Sequence, residues 1–157
     1  MQIAQDAPRT LEHTIERIES TWRDWLMALE GVDPARRTEP GVCGYWSVKD
    51  IMAHISLWEN EIHEHIQRWR LRLPKSDLDI DQMNAAIVAE NRERPYALVR
   101  VNMHRAHHDA MAAILAIERE LDDDIRERIA CETWDHYPEH TEQIRTWFNA
   151  SKGKSNP

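Results

Sequence analysis

Apolar residues recur every three or four positions along four long stretches of this 157-residue chain. That spacing places them on one face of an α-helix. The four stretches run from Thr10 to Gly31, from Ser47 to just before Pro74, from about Pro95 to Leu121, and from about Thr133–Asp135 to Asn149. Their ends carry ordinary helix signals, such as Ser47 as an N-cap with Asp50 as its capping partner. The pattern therefore predicts four long amphipathic helices.

The connections between these helices differ in kind. Residues 32–46 contain two prolines and two glycines without a helical period, which predicts a long loop of the sort that often carries function. A short helix is predicted from Ile80 to Arg94, between a cap at Asp79 and a stop at Pro95. No structure is assigned to the segment that follows the acidic run Asp122–Asp124. Because no stretch has the period of a strand, the sequence predicts an all-α four-helix bundle with one additional short helix between the second and third long helices.

Length and composition bound the class of protein. A chain of this length with 41% apolar and 31% charged residues fits a single globular domain over 1–157, with 1–9 and 151–157 expected to be flexible. The net charge of -8 argues against affinity for nucleic acid or for an anionic membrane. No stretch is long enough to span a membrane, and the start does not resemble a signal peptide. Two cysteines do not suggest a disulfide framework, so the protein is expected to be cytoplasmic, with neither nucleic acid nor membrane as a partner.

Nine histidines are an unusual feature of the composition, and three of them lie on inward faces of the predicted helices. Projected at about 100° per residue, His140 lies near the centre of the apolar stripe of the last helix and His136 about 60° to one side. This i,i+4 spacing places two imidazoles one turn apart, where they can bind one metal ion. His54, on the flank of the second helix's stripe, would supply a third nitrogen. All three lie near the starts of their helices, so the two N-terminal halves must meet, most simply if the helices run parallel.

Three histidines with an open position are typical of a catalytic rather than a structural metal site. The alternative interpretation is that the pair arises by chance among nine histidines. His104 and His108 have the same spacing, yet they lie on the face away from the stripe of their helix.

Several other classes of site are excluded by their motifs. No histidine has a glutamate three residues before it, as di-iron bundles require. The sequence also lacks the His-Glu-x-x-His string of zinc proteases, a glycine-rich phosphate loop and a serine nucleophile motif.

Aromatic residues near the proposed ligands are candidates for the wall of a pocket. Four of them lie either within a turn of a ligand or in the loop before the second helix: Tyr45, Trp46, Trp58 and Tyr137. Cys43 and Cys131 each precede a helix that carries proposed ligands, but unpaired thiols are the simpler interpretation. The sequence leaves open the roles of these cysteines and of His107.

Three segments carry a likeness to known proteins. PGVCGYWSVKDIMAHISLWE contains a Trp-Ser-x-x-Asp-x-x-x-His pattern at the start of the second helix, and TWDHYPEHTEQIRTWF contains a His-Tyr-x-x-His pattern in the last helix. DQMNAAIVAENRERP lies between them. Together they resemble the DinB-like superfamily, most of all its ClbS/DfsB branch, over about residues 10–149. Pro138 departs from the pattern and is tolerated only in the first turn of a helix.

The resemblance implies a four-helix bundle, often a homodimer, with a divalent metal such as zinc or nickel. In metal-binding relatives the ligands are one histidine of the second helix and two of the last, positions that match His54, His136 and His140. Characterised relatives include thiol S-transferases, which use bacillithiol or mycothiol, and a maleylpyruvate isomerase. The ClbS/DfsB branch includes a self-resistance protein that hydrolyses the cyclopropane of a genotoxin and need not rely on the metal.

The expected function is therefore that of a metal-binding enzyme acting on a small molecule. The reaction would be transfer of a low-molecular-weight thiol or hydrolysis of a reactive electrophile. The alternative is a non-catalytic ligand-binding or self-resistance protein of the ClbS/DfsB type that does not depend on metal.

Overall fold

The computed structural model of the protein describes residues 10–153. Within that range it contains six α-helices and no β-strand: α1 (Leu11–Glu30), α2 (Val48–Arg70), α3 (Ile80–Asn91), α4 (Tyr96–Leu115), α5 (Asp123–Ala130) and α6 (His136–Lys152). The predicted all-α class is confirmed, with α1, α2, α4 and α6 as the four long helices and α3 as the short helix between the second and third. The additional helix α5 occupies the segment to which the sequence assigned no structure.

Some helix ends differ from the predicted ones. The third long helix, α4, ends at Leu115 instead of Leu121, although Ile117 and Leu121 are both buried. Apolar spacing alone did not reveal this end, because the non-helical chain after α4 buries the same residues. The last helix continues to Lys152, so part of the expected flexible end is helical. Residues 1–9 and 154–157, also expected to be flexible, lie outside the described residues.

Helices α2 and α4 run parallel. The buried ammonium group of Lys49, at the start of α2, donates hydrogen bonds to the carbonyl groups of Arg92 and Arg94, just before α4. At the other end, Arg70 donates to the carbonyl group of Ala116, just after α4. The two helices therefore start together and end together, and α3 lies in the crossover that joins them.

Helix α1 runs antiparallel to α4. Near its middle, Trp22 of α1 stacks on His107 of α4, and at its end Glu30 pairs with Arg100, two turns closer to the start of α4. As the residue number rises along α1, the number of its partner on α4 therefore falls.

Helix α6 runs antiparallel to α2, so the expectation of parallel helices is wrong. His65, near the end of α2, pairs with Glu132, just before α6. Arg36, in the loop that precedes α2, lies over the ring of Trp147, near the end of α6, at 4.1 Å. The prediction that the two N-terminal halves meet still holds: α6 starts beside the first half of α2 and then continues back past its beginning. A meeting of two helix halves does not fix the direction of either helix.

The core is built from the inward stripes of these helices. Trp25 of α1 is fully buried and donates its indole N–H to the sulfur of Met103 of α4, 3.3 Å away. Other large buried side chains come from every long helix: Ile18, Ile51, Ile55, Ile62, Ile114 and Ile144. None of the described helices is both long enough and apolar enough to cross a membrane.

Candidate metal centre

The first turn of α2 is built by a capping box. The Ser47 side chain accepts a hydrogen bond from the Asp50 backbone N–H, and the Asp50 carboxylate accepts one from the Ser47 backbone N–H at 2.8 Å. These contacts satisfy N–H groups that the start of a helix otherwise leaves unpaired. His54, one turn further along, is therefore held on a well-anchored part of the helix.

The start of α6 is held by the turn before it. The backbone N–H groups of His136 and Tyr137 both donate to the carbonyl oxygen of Thr133, each at 2.9 Å. Pro138 lies in this first helical turn, where proline is tolerated because no backbone N–H is needed there. The departure from the family pattern at this position is therefore compatible with the helix.

The structure brings His54, His136 and His140 together around one point. The Nε2 atom of His136 lies 2.8 Å from Nε2 of His54 and 3.0 Å from Nε2 of His140. The three side chains are buried, and their potential ligand atoms all lie within 4.8 Å of one another. Among the described residues, this is the group of histidine, cysteine and acidic side chains that could hold a metal ion.

Outer contacts fix the orientation of two of the rings. The Nδ1 atom of His54 lies 2.9 Å from the side-chain oxygen of Asn84, and Nδ1 of His140 lies 2.8 Å from that of Gln143. Because an amide oxygen can only accept, both Nδ1 atoms carry the proton. The Nε2 lone pairs of these two rings are therefore free for a ligand, as in metal sites whose outer partners select the tautomer. The Asn84 oxygen also accepts the indole N–H of Trp58 at 2.9 Å.

Burial keeps these imidazoles neutral. Together with a smaller effect of the neighbouring rings, it lowers the pKa of His54 to about 4 and that of His136 to about 3. Burial also lowers the pKa of His140, against the effect of its bond to Gln143. Nδ1 of His136 makes no well-aligned hydrogen bond, although the Glu132 backbone is near enough to favour the protonated ring. Metal ions bind the neutral form, so the donor set suits a divalent cation.

The spacing of the nitrogens also fits a small ion. Ligand nitrogens of tetrahedral zinc lie about 2.0–2.1 Å from the metal and hence about 3.3 Å from one another. The observed separations of 2.8 and 3.0 Å are a few tenths of an ångström shorter. A small outward movement of the rings would therefore suffice to hold the ion.

The four predicted pocket aromatics lie in different environments. The Trp46 ring lies 4.8 Å from the His54 ring, and the buried Trp58 contacts Asn84, so both lie beside the centre. Tyr45, in the same loop as Trp46, is 94% exposed and points to solvent. The Tyr137 side chain is fully buried, and its hydroxyl group hydrogen-bonds to Glu59.

Sequence reasoning missed the polar partners of these residues. Asn84 lies on α3, whose residues are mostly exposed, and Gln143 lies beyond the predicted ligands on α6. The buried Glu59 was also missed, although a glutamate between Trp58 and Ile62 on an apolar stripe is a visible signal. The two cysteines are unpaired, as expected. Cys131 is exposed as a residue, but burial of its thiol and the nearby Glu132 carboxylate raise its pKa to about 12, which disfavours a nucleophilic role.

Comparison with known proteins establishes the fold. ClbS, a colibactin self-resistance protein crystallised in complex with a double-stranded DNA, has a TM-score of 0.71 at 13% identity, covering 88% of this chain and 95% of ClbS. DfsB, described as a sibling lethal factor precursor, has a TM-score of 0.75 at 10% identity, covering 92% and 98%. An uncharacterised protein from Escherichia coli UTI89 has a TM-score of 0.74 at 13% identity, covering 95% and 98%. No protein-family model and no curated protein matches the sequence.

At these identities the likeness shows the fold alone: the chain is a helical bundle like ClbS and DfsB. Assignment to the wider DinB-like superfamily stays a prediction. The expectation that nucleic acid is excluded as a partner is wrong, since ClbS has this fold and was crystallised with double-stranded DNA. The physical reason is that net charge is a sum over the whole surface, whereas a duplex contacts only one local part of it.

Proposed function

We propose that the protein is a resistance-type protein of the ClbS/DfsB kind, which binds a small reactive molecule at the His54, His136 and His140 centre. The fold shared with the self-resistance protein ClbS over 88% of the chain supports the resistance-type function. One observation supports the location of the proposed binding site: three Nε2 atoms converge there, and their imidazole rings are neutral. Neutral imidazole nitrogens can accept hydrogen bonds from a bound ligand.

A thermal-shift screen tests ligand binding. The probes are small epoxides, activated cyclopropanes and α,β-unsaturated carbonyl compounds, each added to protein in a metal chelator. At least one class should raise the melting temperature and be recovered unaltered, and His140→Ala should abolish the shift. His63→Ala changes an exposed histidine of α2 and should keep it. If no class stabilises the protein, with or without added metal, the proposal is wrong.

The second candidate function is a metal-dependent enzyme, and the three-histidine geometry favours it. His54, His136 and His140 would hold a divalent ion, with zinc and nickel as the first candidates. Such an ion supplies Lewis acidity: it polarises a substrate oxygen or lowers the pKa of a bound water or thiol. Asn84 and Gln143 would keep the Nδ1 protons in place, so that the Nε2 atoms face the ion. A low-molecular-weight thiol as second substrate belongs to this candidate alone.

Elemental analysis of protein purified without an affinity tag separates the two candidates. About one zinc or nickel per chain, lost in His140→Ala and kept in His63→Ala, would establish the ion and justify assays of thiol transfer and hydrolysis. A protein that contains neither metal and takes up neither on addition would refute the second candidate and leave the metal-independent one.

Duplex DNA is tested as a second ligand, because ClbS, which shares this fold, was crystallised with double-stranded DNA. Anisotropy of a labelled duplex is measured at about 50 and 200 mM salt, because phosphate contacts weaken steeply over that range. Salt-sensitive binding would add DNA contact to the proposed function. Its absence would restrict the proposal to small molecules.

A further inference from the structure

A second polar cluster lies in the core and joins all four long helices. The hydroxyl group of Tyr137 on α6 donates a hydrogen bond to Oε1 of Glu59 on α2. Nδ1 of His107 on α4 lies 2.7 Å from the same oxygen. The ring of Trp22 on α1 stacks on that of His107, with centroids 3.8 Å apart and planes 3° apart. We refer to Trp22, Glu59, His107 and Tyr137 as the four-helix network.

The polar side chains of the four-helix network destabilise the core relative to apolar side chains of similar size. Glu59 is 1% exposed, its Oε2 atom is buried without a hydrogen-bond partner, and burial raises its pKa. A buried polar group without a partner destabilises the folded state, and apolar side chains of similar volume are often at least as stable. The network therefore calls for an explanation other than stability.

We propose that the four-helix network is a positioning device for the histidine centre: it fixes the rotation of α6 and thereby the places of His136 and His140 opposite His54. The inference rests on the proposed function in one respect, namely that this centre binds a ligand or a metal. Tyr137 is the residue through which the network acts, because it lies in the same helical turn as both histidines.

Helix geometry links the anchor to the ligands. At about 100° and 1.5 Å per residue, His136 lies about 100° from Tyr137 around the axis of α6, and His140 lies about 60° from it on the same side. A side-chain atom about 5–6 Å from the axis moves by about 1 Å when the helix rotates by about 10°. Metal–ligand distances tolerate only about 0.2 Å. A small rotation of α6 would therefore disrupt the centre.

The beginning of α6 is held by backbone hydrogen bonds to Thr133, but these bonds lie within the same turn and do not fix the rotation of α6 relative to α2. The helix starts at His136, and its N-cap residue, Asp135, makes no side-chain capping bond. No side-chain cap therefore fixes the start of the helix, although His136 is its first residue and His140 lies one turn further on. On α2 the equivalent task is performed by the Ser47–Asp50 capping box. The bond from Tyr137 to Glu59 replaces a cap with a tertiary contact.

Cobalt(II) titration of two conservative variants tests the inference, because this ion reports its ligand geometry in the visible spectrum. Tyr137→Phe and Glu59→Gln should each fold, as checked by circular dichroism. Each should bind cobalt about tenfold more weakly than the natural protein, with altered absorption bands, as when the outer partner of a metal ligand is lost. Tyr96→Phe is the matched control, since it removes a buried hydroxyl group that has no partner. It should keep both the affinity and the spectrum.

A metal-free readout separates this inference from the proposed function. The ¹⁵N chemical shifts of the imidazoles report which ring nitrogen carries the proton. Tyr137→Phe and Glu59→Gln should change these shifts for His136 and His140 even if the natural protein binds no metal and no electrophile. Unchanged imidazole shifts in both variants, with unchanged cobalt affinity wherever cobalt binds, would overturn the inference and make the network purely structural.

Discussion

Acidification should remove stability from the metal-free protein, because the histidines of the centre are neutral when folded. The pKa of an unfolded histidine is about 6.5, whereas those of His54 and His136 in the structure are about 4 and about 3. Below pH 6.5 these two histidines therefore become protonated in the unfolded chain but stay neutral in the folded chain. The contribution of these two histidines to the free energy of unfolding is complete above pH 6.5. It decreases as the pH falls toward the pKa values of the folded state.

The size of the effect follows from the same pKa values. Between pH 7 and pH 5, a histidine that titrates only when unfolded lowers the free energy of unfolding by about 1.9 kcal/mol. His54 and His136 together then account for about 3.7 kcal/mol, as an upper value because their charges interact. Since domains are stable by only about 5–15 kcal/mol, this is a large fraction of the total.

Urea unfolding in a metal chelator at pH 7, 6 and 5 measures the effect. His136→Gln should show a loss of stability on acidification that is about 1.9 kcal/mol smaller than that of the natural protein. His63→Gln, which changes an exposed histidine on α2, should parallel the natural protein. The raised pKa of Glu59 acts in the opposite direction but is common to all three proteins, so it cancels in the difference. Parallel curves for His136→Gln and the natural protein would refute the argument that this imidazole is held neutral.

Three further predictions concern single contacts. Asn84→Ala removes the hydrogen-bond partner of His54 Nδ1 and should weaken cobalt or zinc binding about 10–100-fold in a chelator competition assay. An unchanged affinity would contradict the role of this amide. Ser47→Ala removes half of the capping box and should lower the free energy of unfolding in urea by about 1 kcal/mol; no loss would mean that the cap is dispensable. Trp25→Ala leaves a cavity at a fully buried site and should lower the free energy of unfolding by about 3–5 kcal/mol. A loss below about 1 kcal/mol would show that the core repacks to fill the cavity.

The helices were predictable because their signals are local. The stripe on α2 and its Ser47–Asp50 capping box lie within a few turns of one another in the sequence, and the structure confirms both. The missed helix α5 has only eight residues, too few for a clear period, and the end of α4 was misplaced because Ile117 and Leu121 stay buried beyond it. Periodicity reports which residues are buried and does not report how far the helix continues.

The candidate site was predictable only in its inner layer. His136 and His140 share one helix, so their spacing is visible in the sequence, and His54 follows from its position on an inward flank. The Asn84 contact joins α3 to α2 across 30 residues, and the contacts of Glu59 with His107 and Tyr137 span 48 and 78 residues. Such contacts depend on how the helices pack, which no local pattern encodes. The antiparallel course of α6 was missed for the same reason.

The histidine centre and the four-helix network are two results of the same helix placement. On α6, His136 and His140 face the centre while Tyr137 faces the network, and on α2 the same division separates His54 from Glu59. Polar side chains at these five buried positions destabilise a fold that apolar side chains would fill at least as well. A bundle that served only as a scaffold would gain nothing from them. The proposed binding function would explain their joint presence, because it needs both the nitrogens and the contact that holds them in place.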